Sequence, residues 1–132
     1  MHFQLRRALV IAIPALLLIL TPAASSAAKT PTNTTTISIK SASLAPGGAN
    51  VTITYSCFPN GNGAYFYNSF GDAQVQEVTG ASGSSFFHPR CNDRNQTQTV
   101  FVPGPFTSGA AAIRAFVCGF DCNSATKEVR LK

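Results

Sequence analysis

His88, Cys91 and Asp93 form the one short stretch of this chain that mixes nitrogen, sulfur and carboxylate side chains. A metal centre wants three or four such ligands, with Cys as thiolate. His88 is one of only two histidines, the other being His2, and Cys91 is expected to be oxidised, so no metal and no cofactor is expected. Asp72 and Glu77 are the other carboxylates close in sequence, and paired carboxylates do glycoside chemistry. On a strand, however, their odd separation sends them to opposite faces. His88 and the five carboxylates assemble no convincing nucleophile, base and orienting acid. The chain reads as a non-enzyme.

What positions the remaining candidates is the segment Ala110–Leu131, two alternating runs joined by CGFDC. In the first run Ile113, Ala115 and Val117 share one parity, and Arg114, Phe116 and Cys118 share the other. Burying an unpaired Arg114 would be costly, so Arg114 and Phe116 face out. In the second run Val129 and Leu131 face in, and Glu128 and Arg130 face out. Gly119 and Asp121 are turn formers on either side of Phe120, and the three-residue loop brings Cys118 and Cys122 within bonding reach. Phe120 could enter a partner's pocket, but three residues are too few for an inhibitor loop. It is expected to fold back on its own sheet.

The chain starts with Arg6 and Arg7, an apolar run from Ala8 to Leu20, and the small residues TPAASSAA. That is the grammar of a secretory signal peptide over residues 1–28, cut after Ala27 or Ala28. The run is short for a membrane span, which needs about 20 residues, so no stable anchor is expected after cleavage. The leader carries two of the 10 basic residues and none of the 5 acidic ones, so the net charge falls from +5 to +3. That charge is scattered, which argues against nucleic acid. Four cysteines in a short exported chain read as two disulfides.

Residues 29–36, KTPTNTTT, read as a flexible lead-in, and residues 37–132 as one domain. Ile37, Ile39 and Leu44 mark an edge strand before the turn Pro46-Gly47-Gly48. Ala49–Cys57 is the clearest strand, with Val51, Ile53, Tyr55 and Cys57 on one side. A loop follows from Phe58 to Gly63, then strands over Ala64–Phe70 and Ala73–Thr79, separated by Gly71-Asp72. Gly80–Gly83 reads as a turn and Phe86–Asp93 as irregular. A fifth strand covers Gln96–Val102, with Val100 and Val102 inward.

About seven short strands at a spacing of roughly ten residues predict an all-β, immunoglobulin-like antiparallel sandwich. In that arrangement the third, sixth and seventh strands share a sheet. With Phe66 and Phe70 in the core, Tyr65, Tyr67, Arg114, Phe116 and Arg130 would share one outer surface. Exposed rings beside guanidinium groups suit stacking on sugars or flat ligands, or anchoring a protein. Cys118 has outward parity and no Trp is present, which argues against a bridge through the core. The pairings chosen are therefore Cys57–Cys91 and Cys118–Cys122, contributing about 4 and about 2 kcal/mol on a loop-entropy model. Asn33, Asn50 and Asn95 fit the N-glycosylation pattern, which in a chain rich in Asn and Thr arises readily by chance.

The Ala-rich leader, the Tyr55-Ser56-Cys57 strand end, the central Cys91 and the CGFDC hairpin together resemble small secreted immunoglobulin-like proteins of actinobacteria, whose function is unknown. More distantly the chain looks like the neocarzinostatin family of enediyne-carrying apoproteins. Cys118 and Cys122 match that family's short second disulfide, whereas Cys57 and Cys91 lie 34 positions apart and the family's first disulfide closes a short loop. The resemblance implies a ligand cleft near Tyr65, Tyr67 and Phe116. The expectation is thus a monomeric extracellular binding module for a protein, a glycan or a small apolar ligand, with a carrier as the alternative.

Overall fold

The computed structural model describes residues 34–59 and 69–132. Among them are seven strands and no helix: β1 (Thr36–Ala45), β2 (Gly48–Ser56), β3 (Phe70–Glu77), β4 (Ser82–Phe87), β5 (Gln96–Pro103), β6 (Gly109–Cys118) and β7 (Cys122–Leu131). They form two antiparallel sheets, β1-β2-β5 and β4-β3-β6-β7, packed as a sandwich.

Alternation explains the core. Val51, Ile53 and Tyr55 of β2 and Val100 and Val102 of β5 meet Ala73 and Val75 of β3 and Ile113, Ala115 and Val117 of β6. Leu131 closes one side. Near that side the register of β1 shifts between Ile39 and Ser41, leaving Lys40 as an extra residue. Beyond it the Leu44 N–H donates to the Lys132 carbonyl at 3.0 Å, and the Lys127 ammonium donates to the carbonyls of Ile39 and Lys40. The last strand is thereby tied to the first.

The strand count meets expectation, but one member differs. Residues 60–68, which hold most of the expected strand Ala64–Phe70, lie outside the described residues, and Phe70 instead opens β3. Gly71-Asp72, read as a turn, lies inside β3. The reason is a close approach: a Cβ at Gly71 would stand 2.2 Å from the buried Phe87 ring, so glycine here makes room for an aromatic rather than a bend. Ser82–Phe87, read partly as turn and partly as irregular, is β4, paired through Gly71↔Phe87 to Gln76↔Ser82. Phe70 faces outward, not into the core, at 46% exposure.

Both expected disulfides are present. Cys57–Cys91 ties the end of β2 to the segment after β4, and Cys118–Cys122 closes the β6–β7 hairpin. They meet at Gly119, where a Cβ would come within 2.4 Å of the Phe58 carbonyl and 3.0 Å of Cys91 Sγ. The Phe120 N–H donates to that same Phe58 carbonyl at 3.1 Å.

Gly71→Ala is expected to lower stability by about 1–3 kcal/mol through overpacking against Phe87. In urea unfolding, the Gly71→Ala, Phe87→Leu double variant should be less destabilised than the sum of the two single ones. Strict additivity would mean that the two positions do not touch.

Candidate functional site

The outer face of the β4-β3-β6-β7 sheet is built from the alternate positions of its strands. Register sets three neighbouring rows: Phe70, Cys118 and Cys122; Phe86, Asp72, Phe116 and Ser124; Ser84, Gln74, Arg114 and Thr126. Arg114 is exposed and Phe116 half-buried, both on the face expected from their parity. Arg130 is also exposed on this face but pairs with Ala110, four positions from Arg114's partner Thr126. At about 3.3 Å per residue that is roughly 13 Å along the strand. Arg130 instead borders a separate shallow groove with Val78, Ala110, Ala112 and Glu128. Tyr65 and Tyr67 lie outside the described residues.

Three residues of this face are absent from the expected outer set. Phe86 is 78% exposed, Phe70 packs edge-on against Phe116 with ring centroids 5.3 Å apart, and Asp72 lies in the row between Phe86 and Phe116. Asp72 is only 5% exposed. Its Oδ2 accepts a hydrogen bond from the Gln74 amide at 2.6 Å, while Oδ1 has no hydrogen-bond partner among the described residues. A cavity of about 220 Å³ opens here, lined by Asp72, Gln74, Arg114 and Phe116. The signal was available: Phe70, Asp72, Gln74 and Gln76 alternate with Gly71, Ala73 and Val75 once Gly71 is accepted within the strand.

Asp72 and Glu77 do fall on opposite faces. Glu77 is buried on the inner side, where it accepts hydrogen bonds from the Thr107 N–H at 2.7 Å and the Thr79 hydroxyl at 2.9 Å. Its role is to hold the Val78–Gly80 turn and the approach to β6. His88 is exposed and shares a polar cavity with Tyr55, Arg90 and Gln96–Gln98, and Cys91 is consumed by its disulfide. Among the described residues no three His, Cys, Asp or Glu side chains gather to hold a metal.

Phe120 departs from expectation. It is 58% exposed rather than folded onto its sheet, because its backbone is fixed from both sides. Its N–H donates to the Phe58 carbonyl, and the Gly119 N–H donates to the Asp121 carbonyl inside the turn that the Cys118–Cys122 disulfide closes. Asp121 does more than form a turn. Its carboxylate accepts from the hydroxyl and the N–H of Thr35, the latter at 2.9 Å, and the Asn123 amide donates to the Thr35 carbonyl at 2.8 Å. Thr35 is fully buried and β1 starts at Thr36, so the structured domain begins inside the expected lead-in.

No protein-family model, no curated protein and no solved structure matches this chain.

The Thr35 hydroxyl, aided by its N–H and opposed by desolvation, holds the Asp121 carboxyl below its ordinary value of 3.8. A carboxyl whose folded value lies below its unfolded one stabilises the fold fully above the ordinary value. That contribution is lost as pH falls through the lowered one. Urea midpoints at pH 7 and pH 3 should therefore differ less for Asp121→Asn than for the parent chain. An equal acid loss in both would show that Asp121 does not anchor Thr35.

Proposed function

We propose that this chain is a secreted, disulfide-stabilised, immunoglobulin-like domain that acts outside the cell by binding, without catalysis, through the outer face of its β4-β3-β6-β7 sheet. The observation that carries the reading is the clustering of Phe70, Phe86 and Phe116 on the solvent side of a sheet whose inner positions are filled by Ala73, Val75, Ile113 and Val117. Single exposed apolar residues are ordinary on a protein surface, whereas a contiguous group on a rigid face marks a recognition site. Aromatic rings are the side chains that most often anchor such contacts.

The strand order supports the immunoglobulin-like assignment, since the third, sixth and seventh strands are neighbours and the fourth extends their sheet. Export is supported by the leader pattern together with two disulfides, which persist in oxidising compartments. The domain acts as a monomer on an apolar or aromatic group presented by a protein or a glycan. An enclosed carrier for a whole small molecule is the weaker reading. The cavity beside Phe116 is about 220 Å³, less than the roughly 300 Å³ at which pockets begin to enclose drug-sized ligands, and the larger hollow of about 490 Å³ beside Arg130 is an open groove.

Two measurements test this. Expressed with its leader in a secreting host, the protein should appear in the medium with a mass beginning near Ala28 or Lys29, lighter than its reduced form by the four hydrogens of two disulfides. A full-length chain with free thiols contradicts export. Separately, Phe86→Ser should leave Tm within about 2 °C of the parent, as expected for a change well under 1 kcal/mol, while shortening retention on a phenyl hydrophobic-interaction column. A fall in Tm of about 10 °C would make Phe86 a packing residue and remove the face from consideration.

A further inference from the structure

An ionised carboxylate offers about four lone-pair positions. Among the described residues Asp72, although nine-tenths buried, receives one donor, the Gln74 amide on Oδ2, and Oδ1 receives none. Buried charges in folded proteins are paired, and an unpaired one is destabilising. Asp72 is also not in the core, where relief would be impossible: it lies on the outer face, at the wall of an open cavity, in the cross-strand row between Phe86 and Phe116. An underused carboxylate bordered by phenyl rings has a definite complement. The carboxylate attracts a positive charge, the faces of the rings attract one as well, and both disfavour an anion.

The geometry points to Asp72 and the rings of Phe70, Phe86 and Phe116 as a site for an organic cation: a primary or methylated ammonium group carried on an apolar or aromatic body. This rests on the reading of the face as a binding surface and names the ligand class that the surface takes. The ammonium sits in the cavity that Asp72 walls, drawn by its carboxylate charge, and the apolar body lies over Phe86, whose exposure leaves its ring free to receive it. Arg114 is the built-in competitor. It lines the same cavity one row along on the adjacent strand, a diagonal separation of about 7–8 Å that a long side chain spans. It does not hydrogen-bond Oδ1 in this structure. A ligand cation therefore takes the position that Arg114 would otherwise reach.

The test uses the full domain with ¹⁵N labelling and three soluble probes of similar ring and different charge: benzyltrimethylammonium, benzyl alcohol and benzoate. Benzyltrimethylammonium should shift the amides of Phe70, Asp72, Phe86 and Phe116 and bind at least tenfold more tightly than the other two. Asp72→Asn should weaken it about tenfold while leaving Tm equal to or above that of the parent, since a buried charge has been removed. Arg114→Gln should leave the affinity unchanged or raise it. Equal binding of benzyl alcohol, undiminished by Asp72→Asn, would overturn the cation site and leave the aromatic binding face standing. Silence of those amides to all three probes would overturn both. Loss of binding in Arg114→Gln, or a preference for benzoate, would make the site anionic in its choice and overturn the proposal. A large drop in Tm for Asp72→Asn would show that the carboxylate is a structural element instead.

Discussion

The outer face depends on the ring of Phe87 lying over Gly71. The side chains of a strand alternate, so a slip of one residue between β3 and β4 would exchange every inner residue for an outer one. Gly71 is the one glycine of β3 and lies under that ring, and Phe87 is the large residue of β4 that fills the core. Their contact sets the pairing Gly71↔Phe87, and Asp72↔Phe86 follows from it. The exposure of Phe86 and the position of Asp72 between two rings are consequences of a packing event on the other side of the sheet. The cross-strand neighbours on β6 extend the same register to Phe116.

A second set of contacts fixes one end of the sandwich, and it joins parts distant in sequence. Thr35 enters the fold on Asp121, 86 positions later, and the turn that holds Asp121 is bonded by the Phe120 N–H to the Phe58 carbonyl, with Gly119 leaving room for that close approach. The short disulfide keeps that turn in shape, and the long one holds the segment after β4 against β2. For a domain of this size such cross-links add to what a modest core supplies. They also leave the outer face unencumbered, because Cys118 and Cys122 occupy its end row and not its centre.

Much of this was legible in the sequence where alternation ran uninterrupted. The inner and outer sides of β2, β6 and β7 follow directly from Val51-Ile53-Tyr55, Ile113-Ala115-Val117 and Val129-Leu131, and with them the outward placement of Arg114, Phe116 and Arg130 and the two disulfide pairings. Gly80 does lie in a turn, but the reading failed at Gly71-Asp72 and at Ser82-Gly83. Glycine punctuates turns and also admits a close neighbour, the Phe87 ring at Gly71 and the Pro103 carbonyl at Gly83, and local sequence does not distinguish the two uses. Phe86-Phe87 showed the same limit, two identical side chains with opposite fates decided by Gly71 across the ladder. Phe120 was misjudged because a general bias of aromatics toward burial took no account of a backbone held by Phe58 and Asp121. The shortage of donors at Asp72 is a property of the assembled face and has no sequence signature.

The central claim is the register that turns Phe70 and Phe86 to solvent and Phe87 to the core. Ring-labelled phenylalanines and a soluble paramagnetic agent measure it directly, through the enhancement of relaxation at each ring. Strong enhancement at Phe70 and Phe86 with little at Phe87 is the expected result. Strong enhancement at Phe87 with protection of Phe86 would mean that β4 is shifted by one residue, that Asp72 has different neighbours, and that the proposed binding face does not exist.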